Sequence, residues 1–146
     1  MPKKPHIQHP ITLDKLPEPI FYFLRSMPED TIYPPQTHPW GEFVFSFSGV
    51  LELHAEDQDF RVPPNFGIWH PAGAEHHGGN RNASEHCSIY IEDDLATQRG
   101  MPDTTCALLV NPMLREMLIY LRNNFPRPPY SSEVSRLLDV ILDQLI

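Results

Sequence analysis

Hydrophobic and polar positions divide the chain into two parts with different periods. Up to Val110, short runs of aromatic and branched residues alternate with turn signals at a spacing of roughly 8–12 residues. This pattern predicts an antiparallel β-sandwich or β-barrel. The predicted strands are 19–24, 32–35, 42–47, 50–54, 60–62, 66–70, 86–91 and 105–110, and the Gly-rich segment 78–82 is predicted to be a loop.

From Asn111 onward the hydrophobic period becomes helical. Asn111 suits a helix N-cap and Pro112 suits the first helical position. One apolar stripe follows, and the prolines within 126–129 end that helix. A second helix is expected from Ser131 or Ser132. The two stripes are Leu114, Met117, Leu118, Leu121 and Phe125, and then Val134, Leu137, Leu138, Ile141 and Leu145.

The second stripe continues to the end of the sequence, and this leaves two interpretations open. Both helices can pack against the β-structure of their own chain. Alternatively, they form a dimer interface, or the last helix runs on toward a further domain.

Composition and charge narrow the classes of function. A chain of 146 residues is expected to form one domain with a sizeable core. Its 17 prolines favour short strands joined by stiff turns, because proline is excluded from helix interiors and central strands. The formal net charge of −8 provides no basic field for nucleic acid, so this chain by itself is not expected to bind DNA.

The compartment is predicted from the cysteines and the N-terminus. Two lone cysteines, Cys87 and Cys106, indicate a reducing compartment rather than a disulfide framework. Residues 1–16 are polar and proline-punctuated, and are expected to form a flexible arm without the apolar core of a signal peptide. No run is long enough to span a bilayer. We therefore expect a cytoplasmic protein without a membrane partner.

Two histidines and a carboxylate are candidate metal ligands. His38, Glu42 and His76 together would suit a divalent transition ion with open coordination positions, such as Zn, Ni, Fe or Mn.

Strand alternation argues against this metal site. Extended backbone places His38 and Glu42 on one face and Phe43, Phe45 and Phe47 on the other. If the three phenylalanines point into the core, the two metal candidates do not face the same interior unless a bulge changes their side. The other histidines are expected to be structural or exposed to solvent: His6, His9, His54, His70, His77 and His86.

A small-molecule site is the stronger prediction. Trp40 and Trp69 each lie where a strand meets a turn, and each can supply a flat apolar wall to a concave site, although one of them is expected to be core. No sharp-turn nucleophile motif and no phosphate-binding glycine loop occurs, so nucleophilic catalysis is not predicted.

Two motifs resemble those of the cupin superfamily. Residues 71–80 match the second cupin motif, Pro-x-Gly-x-x-His-x-x-x-Asn. In the first motif His38, Glu42 and Gly49 match, and Trp40 stands where the second histidine is usual. The resemblance implies a jelly-roll β-barrel, and the replaced histidine implies that a catalytic metal is often lacking.

A longer resemblance covers His38 to Ile146. The order His-x-Trp-x-Glu, Val-Pro-Pro-x4-Trp-x-Pro-Ala-Gly-x-x-His and Asn-Pro-Met-Leu-Arg-Glu-Met resembles AraC-type transcription regulators. It implies a cupin-like domain that binds an effector and forms a homodimer through a helical pair. DNA would be bound only by a separate C-terminal module, expected beyond Ile146.

These observations combine into a set of expectations. The fold is mainly β, with a cupin-like antiparallel barrel over 17–110 and a helical dimerisation hairpin over 111–146. No cofactor is expected for an effector sensor. The alternatives are a stand-alone metal-dependent cupin enzyme, such as an oxygenase or isomerase, and a metal-free small-molecule-binding cupin. The predicted effector site is His38, Trp40, Glu42, Trp69 and His76, and the predicted dimer surface is Leu114, Met117, Leu118 and Leu121.

Overall fold

Two five-stranded sheets face each other, and helices cover the outer face of one of them. The computed structural model describes residues 6–7, 13–80 and 82–146, so most of the predicted arm lies outside the described residues. The strands are β1 (His6–Ile7), β2 (Ile20–Met27), β3 (Thr31–Gln36), β4 (Gly41–Ser46), β5 (Leu51–Ala55), β6 (Gln58–Val62), β7 (Phe66–His70), β8 (His76–Asn80), β9 (Ser84–Ile91) and β10 (Cys106–Leu109). The helices are α1 (Asp93–Arg99), α2 (Pro112–Asn123) and α3 (Ser132–Leu145).

Sheet I has the strand order β1-β3-β8-β5-β6, and sheet II has the order β10-β7-β4-β9-β2. All neighbours pair antiparallel except β1 and β3. Apolar side chains fill part of the space between the sheets: Val44 and Ile68 from sheet II, and Leu51 and Val62 from sheet I. The predicted mainly β fold of antiparallel strands is confirmed. Within the described residues, however, the two sheets share no strand pairing, so the architecture is a sandwich rather than a closed barrel.

A second core lies between sheet II and the helices. Phe43, Phe45 and Trp69 on the outer face of sheet II pack against α2 and α3, together with Leu114 and Leu138. Strand β4 is therefore buried along its whole length, because each of its faces is covered.

The two C-terminal helices begin at the caps that the sequence predicts. The Asn111 side chain accepts a hydrogen bond from Leu114 N–H at 2.8 Å, and the Ser131 hydroxyl accepts one from Val134 N–H at 3.2 Å. Each bond satisfies a backbone donor that the first helical turn leaves free.

The predicted dimer surface is wrong for three of its four residues. Leu114, Leu118 and Leu121 are fully buried in the outer core of their own chain, because this stripe faces sheet II. Only Met117 lies at the edge of that core, partly buried. The exposed apolar residues of α2 lie on another face and include Met113 and Tyr120.

Two local predictions also need correction. The segment predicted as a loop, 78–82, overlaps the last three residues of strand β8, which pairs with β3 and β5. Gly78 allows this pairing because a Cβ there would lie 2.2 Å from the Glu52 carbonyl oxygen. Helix α1 was not predicted, since its polar sequence carries no apolar stripe. Both cysteines are free thiols, in agreement with the expectation of no disulfide.

Candidate functional site

A small cavity lined by both polar and apolar side chains lies between the two sheets. It has about 20 Å³ of free volume, which is room for about one water molecule or one metal ion. Both sheets contribute side chains, and the polar ones outnumber the apolar ones. The lining residues are Arg25, Gln36, Glu42, Val44, Leu51, Leu53, His70, His76, His86 and Ser88.

Glu42 is the centre of the polar side chains at one side of this cavity. Its Oε1 lies 3.2 Å from His76 Nε2 and 3.4 Å from His38 Nε2, and all three side chains are buried. The three candidate ligand atoms lie within 4.8 Å of one another. Sequence reasoning chose these three residues, and the structure brings them together.

The alternation of side chains along β4 does not exclude this arrangement. Glu42 faces the space between the sheets while Phe43 and Phe45 face the helices, as alternation requires. The expectation that the phenylalanines mark the same interior as the ligand site is wrong, because β4 has a core on each of its faces. No bulge is needed to bring His38 and Glu42 to His76.

Short backbone contacts hold the two histidines in place. The N–H of Gly73 donates to the carbonyl of His38 at 2.8 Å, which joins the turn before β8 to the segment before β4. His76 Nδ1 lies 3.2 Å from the Ala74 carbonyl, and a carbonyl can only accept, so Nδ1 carries a proton.

This hydrogen bond determines what His76 Nε2 can do. In a neutral imidazole with Nδ1 protonated, Nε2 presents a lone pair, which is the form that binds a metal. Two lone pairs facing each other at 3.2 Å repel, so either a proton or a cation has to lie between His76 Nε2 and Glu42 Oε1. Within the described residues neither atom has a hydrogen-bond partner of good geometry.

The electrostatics of the cluster favour an ionised Glu42. Burial by itself raises the pKa of a carboxyl group, but hydrogen-bonding contact with His38 and His76 and the nearby charge of His76 lower the pKa of Glu42 well below its ordinary value. A carboxylate surrounded by imidazoles in a dry interior is a strong site for a cation.

His70 is a site residue that sequence reasoning missed. Its ring stacks on His76 with centroids 3.8 Å apart and an angle of 4° between the planes. Burial and the neighbouring His76 lower the pKa of His70 to about 3, so its imidazole is neutral at pH 7. Neither ring nitrogen has a partner among the described residues. The sequence signal that could have identified His70 is the alternation of side chains along β7, which puts His70 on the opposite face of the strand from Trp69.

The two tryptophans occupy different environments. Trp40 stacks on His38 with centroids 5.7 Å apart and packs against Tyr90, so it lies next to the cluster. Trp69, which was predicted to line the effector site, does not line this cavity. Its ring covers Gly41 in the outer core, and its Nε1 donates to the Pro102 carbonyl at 2.8 Å.

Comparison with known families agrees with this architecture. The profile of the family described as AraC-like ligand binding domain matches residues 18–145. The chain belongs to this family. The family is described as a ligand-binding domain, in agreement with the effector-binding domain that the sequence resemblance implied.

Relatives of this AraC-like ligand binding domain are named as transcription regulators. The HTH-type transcriptional regulator NimR of Escherichia coli K12 is 26% identical over 126 residues, which cover 86% of this chain and 45% of NimR. The chain thus spans less than half the length of that relative. The crystal structure of the AraC-like transcriptional activator CuxR superposes with a TM-score of 0.66 at 14% identity, covering 88% of this chain and 51% of CuxR.

A cupin superfamily protein from Desulfitobacterium hafniense DCB-2 has a TM-score of 0.49 at 14% identity, covering 57% of this chain and 75% of that protein. In the described part of the AraC-like domain no helix is both long and apolar enough to cross a membrane.

Proposed function

We propose that this domain senses a small-molecule effector in the cavity between its sheets, as part of a cytoplasmic transcription regulator that binds DNA through a separate C-terminal module. The observation that carries the proposal is the convergence of buried polar atoms on the cavity. Buried polar atoms without partners cost free energy, and a domain retains them where a ligand supplies the partners.

The size of the cavity has a consequence for the mechanism. Free volume for about one water does not accommodate a metabolite of several non-hydrogen atoms. An effector therefore binds only if the sheets or their side chains repack, and binding then selects a conformation that differs from the one described here. This coupling is what a sensor requires.

Strand β2 connects the cavity to the helices. Arg25 of β2 lines the cavity, while Tyr22 of the same strand faces the outer core. The Tyr22 hydroxyl donates to the Leu118 carbonyl of α2 at 3.1 Å, and the Tyr22 N–H donates to the Tyr130 hydroxyl at 3.1 Å. A shift of β2 on effector binding would move α2 and the segment before α3.

His38, Glu42 and His76 would hold a divalent transition ion if the domain binds one. The donor types and their unpartnered atoms fit such an ion. When bound, the metal would supply a Lewis-acidic point for an effector oxygen or nitrogen. The protein residues would keep Glu42 ionised, hold His76 in its metal-binding tautomer and exclude water.

An exposed apolar face of the two helices is the candidate dimer surface. Met113 and Tyr120 are about half exposed, at 52% and 56%, and lie with Met117 and Leu137 around one surface depression. Burying this face in a homodimer would remove its apolar area from water. Tyr120→Glu is expected to convert a dimer to a monomer in sedimentation analysis, and a wild-type domain that is monomeric at high concentration would contradict the proposal.

A metal-dependent cupin enzyme is the second candidate, because two histidines and a carboxylate leave coordination positions open. Purification without chelator followed by metal analysis separates the two candidates. One first-row metal ion per chain, together with conversion of a substrate by the metal-loaded domain, favours the enzyme. A metabolite that raises Tm without being converted favours the sensor.

Thermal-shift screening against metabolites tests the proposed effector site. Ser88 lines the cavity, and Ser88→Val adds volume there, whereas Ser26→Val makes the same change at an exposed position of a neighbouring strand. A true effector raises Tm of the wild type and of Ser26→Val, but not of Ser88→Val. An effector that stabilises folded Ser88→Val equally binds elsewhere, and the proposal is then wrong.

A further inference from the structure

Arg25 is a buried cation that lines the same cavity as Glu42. Its side chain is 9% exposed, lines the cavity and lies over the Phe23 ring, with Cζ 4.9 Å from the ring centroid. Burying a guanidinium without a counter-ion is unfavourable, so its partners matter.

No carboxylate of the described residues forms an ion pair with Arg25. The remaining residues, 1–5, 8–12 and 81, contain no aspartate or glutamate, so the chain has no further carboxylate to offer. Glu42, the carboxylate that lines the same cavity, is in contact with His38 and His76 instead. Among the described residues, Arg25 therefore has no carboxylate at ion-pairing distance.

The unpartnered atoms of Arg25 have a specific geometry. Nε and Nη2 are both buried and have no hydrogen-bond partner of good geometry in the described part of the chain, although the Tyr90 hydroxyl lies near enough to interact with the guanidinium. These two nitrogens form the side edge of the guanidinium, where two N–H groups point in parallel. That edge matches the two oxygens of a carboxylate in a bidentate pair.

The surroundings favour one kind of anion. Gln36 and Ser88 line the same cavity and can add neutral hydrogen bonds, and the buried Gln36 Oε1 also has no partner among the described residues. The single positive charge of Arg25 can balance the single negative charge of a bound monoanion. A dianion such as phosphate would place an excess negative charge in the cavity that also holds Glu42, which is unfavourable.

We propose that the effector of this domain is a small carboxylic acid, bound as its monoanion with the carboxylate on the side edge of Arg25. This inference rests on the proposed effector site between the sheets and names the chemical class of its ligand. The rest of the effector extends from Arg25 toward the histidine cluster. Since the closed cavity is too small for it, pairing with Arg25 accompanies the repacking described above.

Acetate and its neutral isostere acetamide are the probes that test this inference. In NMR titrations of the domain, acetate is expected to shift the Arg25 Nε–Hε resonance in a saturable way, whereas acetamide leaves it unchanged. Arg25→Gln is expected to weaken acetate binding at least about tenfold, and Arg25→Lys less, because an ammonium keeps the charge without the parallel donors. The Arg25 resonance of the wild type gives the answer even if a variant does not fold.

The outcomes distinguish this inference from the proposed function. A linear, non-saturating response of Arg25 to acetate, or an equal response to acetamide, overturns the carboxylate assignment. If screening finds ligands that depend on Ser88 but are neutral and indifferent to Arg25→Gln, the effector site stands and only the carboxylate assignment fails. If acetate binds folded Ser88→Val as it binds the wild type, both fail.

Discussion

The carboxylate of Glu42 and the imidazole of His76 meet across the interior, with Oε1 and Nε2 3.2 Å apart, although they belong to different sheets. A hydrogen bond from His76 Nδ1 to the Ala74 carbonyl directs the lone pair of neutral His76 toward Glu42. The contact is therefore stable only with a positive charge between the two atoms or on the imidazole.

Removal of one of these ligands tests whether that charge is a metal. We expect Zn²⁺ to raise Tm of the chelator-treated domain, and His76→Ala to weaken Zn²⁺ binding at least about tenfold. His77→Ala is the matched control, because the neighbouring His77 points to the other face of β8, toward the His54 ring. Equal Zn²⁺ binding by both variants in calorimetry would contradict the site.

The Tyr22 hydroxyl tests the connection between sheet II and the helices. Tyr22→Phe leaves the buried Leu118 carbonyl without its donor, and we expect a loss of about 1 kcal/mol in the free energy of unfolding by urea. Tyr120→Phe removes a hydroxyl from an exposed ring of α2 and should change stability little. Equal stability of Tyr22→Phe and the wild type would show that this bond does not hold the helices.

Close packing of Gly41 against Trp69 predicts a steric effect. A Cβ at Gly41 would lie 2.1 Å from the Trp69 ring, so Gly41→Ala is expected to destabilise the domain by about 1–3 kcal/mol. Trp69→Phe should recover part of this loss when combined with Gly41→Ala, because the smaller ring makes room. Strictly additive losses in this double-mutant cycle would count against the contact.

The two thiols should differ in reactivity. Cys87 is fully buried, and burial raises its pKa to about 12, so the thiolate is scarce and inaccessible. Cys106 is only partly buried, and its pKa is raised by the same cause. With a disulfide reagent we expect one slow thiol in the folded domain and two in denaturant. Cys106→Ser should abolish the folded-state reaction, and a remaining reactive thiol would place Cys87 at the surface.

Burial of His86 predicts a loss of stability in acid. Burial and the nearby charge of Arg25 lower the pKa of His86 to about 4, with Glu42 acting in the opposite direction. Between the ordinary pKa of about 6.5 and this value the unfolded chain binds a proton that the folded chain does not, so stability falls as pH falls through this window. The full effect is about 3 kcal/mol.

A pH series of urea denaturation measures this dependence. His86→Gln should flatten the slope between pH 6.5 and 4. Identical slopes for the wild type and His86→Gln would contradict the prediction.

The sequence by itself determined the local structure and part of the site. The helical period of the apolar residues and the N-cap residues predicted α2 and α3. The N-caps Asn111 and Ser131 are readable from sequence because each bonds to a backbone N–H three residues further along. The alternation of side chains along β4 correctly placed Glu42 and Phe43 on opposite faces of the strand. The spacing of His38, Glu42 and His76 named three side chains that the fold brings together, and the family followed from motifs whose order is linear in the chain.

The tertiary structure alone decided what covers each face. Alternation shows that Glu42 and Phe43 point in opposite directions, but both directions lead to a core, because α2 and α3 cover sheet II from about 70 residues further along the chain. For the same reason Trp69 of sheet II and Leu114 of α2 are buried in the core between the sheet and the helices. Trp69 therefore does not line the cavity, and Leu114 does not lie on the surface.

The cavity itself is also a product of tertiary structure. Arg25, His70 and Ser88 carry no motif, and each lies in a separate strand of sheet II. All three line the inner face of sheet II, where Arg25 pairs with His86, Ser88 with Val44 and His70 with Glu42. From sheet I, Gln36 and His76 line the same cavity. Local sequence determines the direction of each side chain along its own strand. The pairing and stacking of distant strands determine which side chains meet.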